Sequence, residues 1–159
     1  MDDCRALGRD IFVIDKYFRI YFKNALRPYG LNTTEAMVLL ALYERGGSLG
    51  KDVFQDIHGH KLQKSQEQII SDLQYDKAAM TRTMQSLESQ GFVVRCVNPK
   101  DSRSFLFSAT EKADAFKPKL IGCLREWNKL LLGEIEDLET VSRAIRHMAD
   151  NAKRTIKGE

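Results

Sequence analysis

"SQEQIISDLQYDKAAMTRTMQSLESQGFVVRCVNPKDSRSFLFSATEKA", residues 65–113, holds two helix starts, a very short break and a β-rich tail. Ser65 with Gln68 three positions on has the spacing of a capping box, and Ile69, Ile70 and Leu73 give the helix that follows a buried side. That helix ends near Gln74, and only Tyr75 separates it from Asp76, a second N-cap. From Asp76 a helix runs through Gln90 with Met80, Met84 and Leu87 inward, and Gly91 stops it. The β-formers Val93-Val94-Arg95-Cys96-Val97 and Phe105-Leu106-Phe107 then flank a polar knot of Asn98-Pro99, Asp101 and Arg103, which predicts a hairpin.

Helix, tight turn, helix and hairpin, in that order, make a winged helix-turn-helix, whose second helix enters the DNA major groove while the hairpin reaches a neighbouring minor groove. Opposite Met80, Met84 and Leu87 the second helix displays Lys77, Ala78, Thr81, Arg82, Gln85 and Ser86, with no carboxylate before Glu88. Such a face can approach phosphates and base edges. Arg82 suits a bidentate contact to guanine, and Thr81 and Gln85 suit weaker readout. The helix starts at Asp76-Lys77 and Ser65-Gln66 suit phosphate anchoring. At the hairpin tip Lys100 and Arg103 can neutralise phosphate or enter a narrow minor groove, with Asp101 holding the Arg103 guanidinium extended.

Outward from this stretch the chain reads as helical. Leu7, Ile11, Ile14, Phe18, Tyr21 and Ala25 recur at steps of four and three, ending before Pro28. Phe12, Val13, Ile20 and Phe22 lie off that stripe, so this helix needs partners on more than one side. Asn32 and Glu35 form another capping box before the apolar run Ala36 to Tyr43, which predicts a central helix stopping at Gly46-Gly47. After Thr110, the stripe Ala113, Phe116, Leu120, Leu124, Trp127, Leu131 predicts one long helix kinked at Pro118, and Ile135, Leu138, Val141, Ile145, Met148, Ala152, Ile156 another. The fold class is mainly α with a small β-hairpin wing.

At 159 residues and 43% hydrophobic content the chain supports a packed core, which argues against intrinsic disorder. A net charge of only +3 implies no nucleic acid by itself, so the argument rests on where the charge sits. Three cysteines without CxxC spacing, Cys4, Cys96 and Cys123, oppose a disulfide framework or zinc ribbon and fit the cytoplasm. No apolar run reaches the roughly 18 residues of a membrane span or resembles a signal core. No nucleophile–base–acid pattern and no glycine-rich phosphate loop is present, so neither an enzyme nor a cofactor is expected.

The 65–113 segment resembles the DNA-binding core of the MarR family of transcriptional regulators, including the D-x-R wing (Asp101, Arg103) and the "T-E-K" that follows it. The resemblance extends over almost the whole chain. It implies a homodimer in which the first and last helices of two subunits interlock, each subunit presenting one head to a pseudo-palindromic operator. Residues 1–30 and 110–159 would form the helical dimerisation region and 31–109 the winged head. By position it implies backbone anchors at Ser65 and Gln66, a major-groove face at Lys77, Ala78, Ala79, Thr81, Arg82 and Gln85, and a wing arginine at Arg103 partnered by Asp101. It also implies a small-molecule effector, for which Tyr17, Tyr21, Phe22 and Trp127 are the aromatic candidates, although residues at helical spacing are more often core. The chain departs from the family pattern where Ser86 and Ser102 replace basic residues, which lowers the phosphate-binding charge, and where residues 46–64 form an insertion.

That insertion reads as a short amphipathic helix and loop; His58-Gly59-His60 lacks a nearby third ligand, so no metal is expected. Cys4, beside Arg5 at a helix start, is the redox candidate; Cys96 and Cys123 read as small core residues. Two other readings stay open: a winged-helix module that docks a protein through the same face, for which Ser86 and Ser102 argue, and a regulator switched by oxidation of Cys4.

Overall fold

The structure, a computed structural model, describes residues 3–43 and 62–157, with side chains described for 6–43 and 62–156. Cys4's thiol and most of the 46–64 insertion, including His58 and His60, lie outside the described residues. Two compact units are present, Met1–Leu124 and Arg125–Glu159.

Helix α1, Asp3–Leu26, gives way at Pro28 to a single 3-10 turn, Arg27–Tyr29, because proline's fixed φ suits a helix start. Gly30 closes it at φ 71°, a left-handed geometry open to glycine at little cost. Within one chain α1 buries only its C-terminal turns, through Phe22 and Leu26, and leaves Leu7, Ile11, Phe12, Val13, Ile14, Tyr17 and Ile20 exposed. Helix α2, Thr33–Ala41, begins with the expected capping box: the Asn32 side chain accepts the Glu35 N–H at 2.9 Å, and the Glu35 carboxylate accepts the Asn32 N–H at 2.8 Å. Every residue from Glu35 to Tyr43 is buried, so α2 is the central helix.

Strand β1 is Lys64–Ser65, helix α3 Gln66–Leu73, helix α4 Lys77–Ser89, strand β2 Val93–Asn98 and strand β3 Asp101–Ala109. The Ser65–Gln68 capping box and the Asp76 cap both form, and Met80, Met84 and Leu87 are the buried residues of α4. Gln74 takes a left-handed φ of 57° at the end of α3, which shortens the turn to the next helix. The expected hairpin is wider than its sequence implies. The antiparallel sheet runs β1-β3-β2, with Lys64 opposite Phe107 and Ser65 opposite Leu106. A two-residue strand leaves no periodic signal; what holds this one is a buried lysine, Lys64, whose ammonium meets Asp72 at 2.7 Å. The polar knot also belongs to the strands, since β3 starts at Asp101. Cys96, expected in the core, is exposed on the wing, because β2 is covered by the body only at Val93, and Val94 to Val97 are all exposed.

Helix α5, Glu111–Leu132, runs as one helix through Pro118 and buries Ala113, Phe116, Lys117, Leu120 and Ile121. Phe116 packs edge-on against Tyr29 and Phe92, at centroid distances of 4.9 and 5.6 Å. Helix α6, Leu138–Lys157, lies in the second unit and exposes Leu138, Ile145 and Ile156 of its apolar stripe. Among the described residues no helix is long and apolar enough to cross a membrane.

Candidate nucleic-acid interface

Helices α3 and α4 are coupled before either meets a ligand. The Gln66 amide donates to the Thr81 hydroxyl at 2.8 Å, and that hydroxyl donates in turn to the Lys77 carbonyl at 2.9 Å. The Thr81 hydroxyl is therefore engaged within the head by both bonds. Ser65 likewise uses its oxygen as the α3 cap, accepting from Gln68 N–H at 3.2 Å.

Lys77, Ala78, Arg82 and Gln85 are exposed along α4, while Ala79 and Thr81 are half-buried. No hydrogen bond or ion pair to another described residue holds the Arg82 guanidinium, so it can reach outward. Ser86 departs from the expectation that placed it on this outward face. It stands at the flank of α4, and its hydroxyl donates at 2.6 Å to the buried carboxylate of Glu35 on α2. A hydroxyl beside a desolvated carboxylate is held there by a charge-assisted hydrogen bond.

The wing tip is built from short-range bonds around the Pro99–Lys100 turn. Asn98 accepts the Lys100 N–H at 3.0 Å and donates to the Ser104 hydroxyl at 3.1 Å, and Ser104 donates to the Asp101 carbonyl at 3.0 Å. Asp101 accepts the Arg103 backbone N–H at 3.0 Å, whereas the Arg103 guanidinium stands 3.6 Å from the same oxygen. At that separation there is no direct hydrogen bond, so Asp101 shapes the backbone beneath Arg103 more than it grips the side chain. The Arg103 side chain is 94% exposed. Lower on the wing, the Arg95 guanidinium lies 3.3 Å from Glu88 at the end of α4 and over the Phe105 ring at 5.0 Å, tying the hairpin base to the helix.

Sequence reading missed Glu35's second role, Gln90 and Lys112. The Gln90 amide donates to Glu35 at 3.2 Å and to the Ser86 hydroxyl at 3.1 Å, and the Lys112 ammonium donates to the Gln90 carbonyl at 2.6 Å. The Lys112 of the "T-E-K" stretch was the available signal. At the far end of α2, Tyr43 donates to Asp114 at 2.7 Å beneath the Lys117 ammonium, and burial together with that bond pushes the phenol well above its ordinary range.

Of the aromatic effector candidates, Tyr17 is exposed and Tyr21 half-buried, but Phe22 is enclosed in the core, 4.5 Å from the Phe18 ring. Trp127 belongs to the second unit and is half-buried. A cavity of about 190 Å³ opens instead among Phe18, Arg19, Thr33, Met37, Leu73 and Tyr75. Among the described residues no three His, Cys, Asp or Glu side chains converge as a metal site.

Residues 29–104, which span α2, α3, α4 and most of the wing, match the MarR family model. The chain resembles the MarR family over this segment, just under half of its length. Its similarity to the HTH-type transcriptional regulator BilQ of Clostridioides difficile is 25% identity over 134 residues, covering 84% of this chain and 80% of that protein. The fold is that of a MarR transcriptional regulator from Methanosarcina mazei Go1, with a TM-score of 0.79 at 24% identity, covering 95% of this chain and 99% of the other. It is also that of a mutant MarR from E. coli crystallised with operator DNA, with a TM-score of 0.68 at 18% identity over 92% of this chain and 96% of the other. The chain thus has the winged-helix fold of these MarR regulators.

Proposed function

We propose that the protein is a homodimeric MarR-type repressor that binds a pseudo-palindromic operator in the cytoplasm and releases it when a small molecule binds. The observation that carries this reading is the pair of exposed arginines on two different elements of one head. Arg82 projects from α4 with no partner among the described residues, and Arg103 projects from the wing. A helix arginine can read guanine in the major groove while a hairpin arginine enters the minor groove or meets phosphate beside it. Lys77, Ala78, Ala79, Gln85 and the Thr81 methyl complete the major-groove face. Ser65, Gln66 and Lys100 serve the backbone.

Dimerisation is supported by apolar surface that one chain leaves uncovered: Leu7, Ile11, Phe12 and Ile14 on α1, and Leu138, Ile145 and Ile156 on α6. A C2 dimer would bury such faces and present two heads, which is why the operator is expected to be a pseudo-palindrome. Effector control has a physical opening in the cavity between α1, α2 and the α3–α4 turn, because a ligand there can favour one head spacing over another. Repression follows if the bound dimer occludes transcription. The purified protein should select a palindromic site from random duplex DNA and sediment as a dimer on it; a pool that stays random after selection would exclude operator recognition.

A further inference from the structure

The outward face of α4 can read bases only if the helix holds one rotation and one axial position. Base-reading constellations tolerate errors of about 0.5 Å and 10–20°. The apolar underside, Met80, Met84 and Leu87, fixes the depth of α4 but is a poor guide to rotation, since dispersion has little direction and methionine adapts its shape. Directional bonds must therefore set the angle.

They occur at both ends of the helix. At its start, the bond from Gln66 to Thr81 ties α4 to α3. At its end the tie is a buried carboxylate. Glu35 is 3% exposed, and its two oxygens have separate tasks: Oε2 completes the α2 capping box on Asn32 N–H, while Oε1 accepts from Ser86 at 2.6 Å and from Gln90 at 3.2 Å. Helix capping needs only the first oxygen, so burying the second against α4 serves another purpose. Gln90, the C-cap of α4, is held by α5 as well, because Lys112 on the first turn of α5 donates to its carbonyl at 2.6 Å and lies over the Phe92 ring at 4.4 Å.

We propose that Glu35, acting through Ser86 and Gln90 and braced by Lys112, is a positioning residue that sets the rotation of α4 and so the selectivity, rather than the strength, of DNA binding. Ser86 follows Arg82 by little more than one helical turn and is adjacent to Gln85, so its bond to Glu35 fixes the azimuth of both. The serine that stands where the family pattern has a basic residue is thereby accounted for: it exchanges a phosphate contact for an internal bond. This inference rests on the proposed operator binding.

The test measures affinity of the full-length protein for two duplexes, one selected from a random pool by the wild type and a scrambled duplex of equal length and composition. Each is titrated with salt, for the wild type, Ser86→Ala, Glu35→Gln and Glu35→Ala. Ser86→Ala retains the α2 capping box and is the variant expected to fold unchanged. It should lower the selected-to-scrambled affinity ratio roughly threefold to tenfold, the range of one net hydrogen bond, with the same salt slope. Glu35→Ala should lower it further, and Glu35→Gln, which keeps an amide oxygen able to accept from the Ser86 hydroxyl, should recover part of the loss. If both Ser86→Ala and Glu35→Gln melt earlier or as before and keep the wild-type ratio, the residues are structural only and the inference is overturned. If the wild type selects no sequence, the operator reading falls and this inference with it.

Discussion

The α4 face and the wing tip each hold out an arginine, but by opposite means. Arg82 projects from a helix secured at three places: the Gln66–Thr81 bond, the buried Met80, Met84 and Leu87, and the Glu35–Ser86–Gln90 cluster. Arg103 stands on a strand whose geometry is settled within seven residues, by Asn98, Asp101 and Ser104. The first arrangement draws on contacts up to 55 positions apart in sequence, the second on neighbours. A base reader needs a fixed bearing, because a bidentate bond fails when misaligned, whereas a phosphate or narrow groove attracts charge over a wider range of positions. Rigidity is therefore concentrated on the helix proposed to read sequence.

The largest effect should come from removing the support under α4. Leu87→Ala leaves a cavity below the helix and should cost about 2–5 kcal/mol in urea unfolding, whereas no wing-tip substitution should approach that figure. Next, Arg82→Ala should weaken binding to a selected operator by about 1–3 kcal/mol and relax the base preference at one position per half-site, both readable in gel shifts against a panel of single-base variants. Gly91, at φ 76° between α4 and β2, joins the two regions, so Gly91→Ala should cost roughly 1–2 kcal/mol of stability through left-handed strain. Arg103→Ala should make the salt dependence of binding shallower by about one unit of log–log slope while leaving the base preference of α4 intact. The smallest effect belongs to Asp101→Ala, at about 0–1 kcal/mol in stability, since the ion pair with Arg103 is largely solvated. Should Arg103→Ala relax base preference as much as Arg82→Ala, the division between a reading helix and a charge-bearing wing would be wrong.

Local signals made most of the head legible. The capping boxes at Asn32/Glu35 and Ser65/Gln68, the Asp76 cap, the Gly91 stop and the inward Met80, Met84 and Leu87 all stand where their spacing places them. Each depends on residues a few positions apart, which is the range over which hydrogen-bond geometry and helical period act. Other features escaped for the opposite reason. β1 exists only because β3 offers it an edge, and Cys96 is exposed because the body covers β2 only at Val93. Phe22, read as one of the candidate crevice residues, is enclosed by the packing of α1's C-terminal turns. The cavity among Phe18, Thr33, Met37, Leu73 and Tyr75 draws on α1, α2 and the α3–α4 turn, so no single stripe announces it.

The sequence by itself determined the order of helix, turn, helix and wing, together with the face of α4 that carries Lys77, Arg82 and Gln85, since period and caps are properties of neighbouring residues. Only the tertiary structure decided that Glu35 uses its second oxygen on Ser86, 51 positions away, and that Lys112 closes the far end of the same helix. A carboxylate at helix position N3 reads the same whether its outer oxygen faces water or another helix. Which of the two it meets is settled by packing, where burial makes one good partner worth more than a solvent that is no longer there.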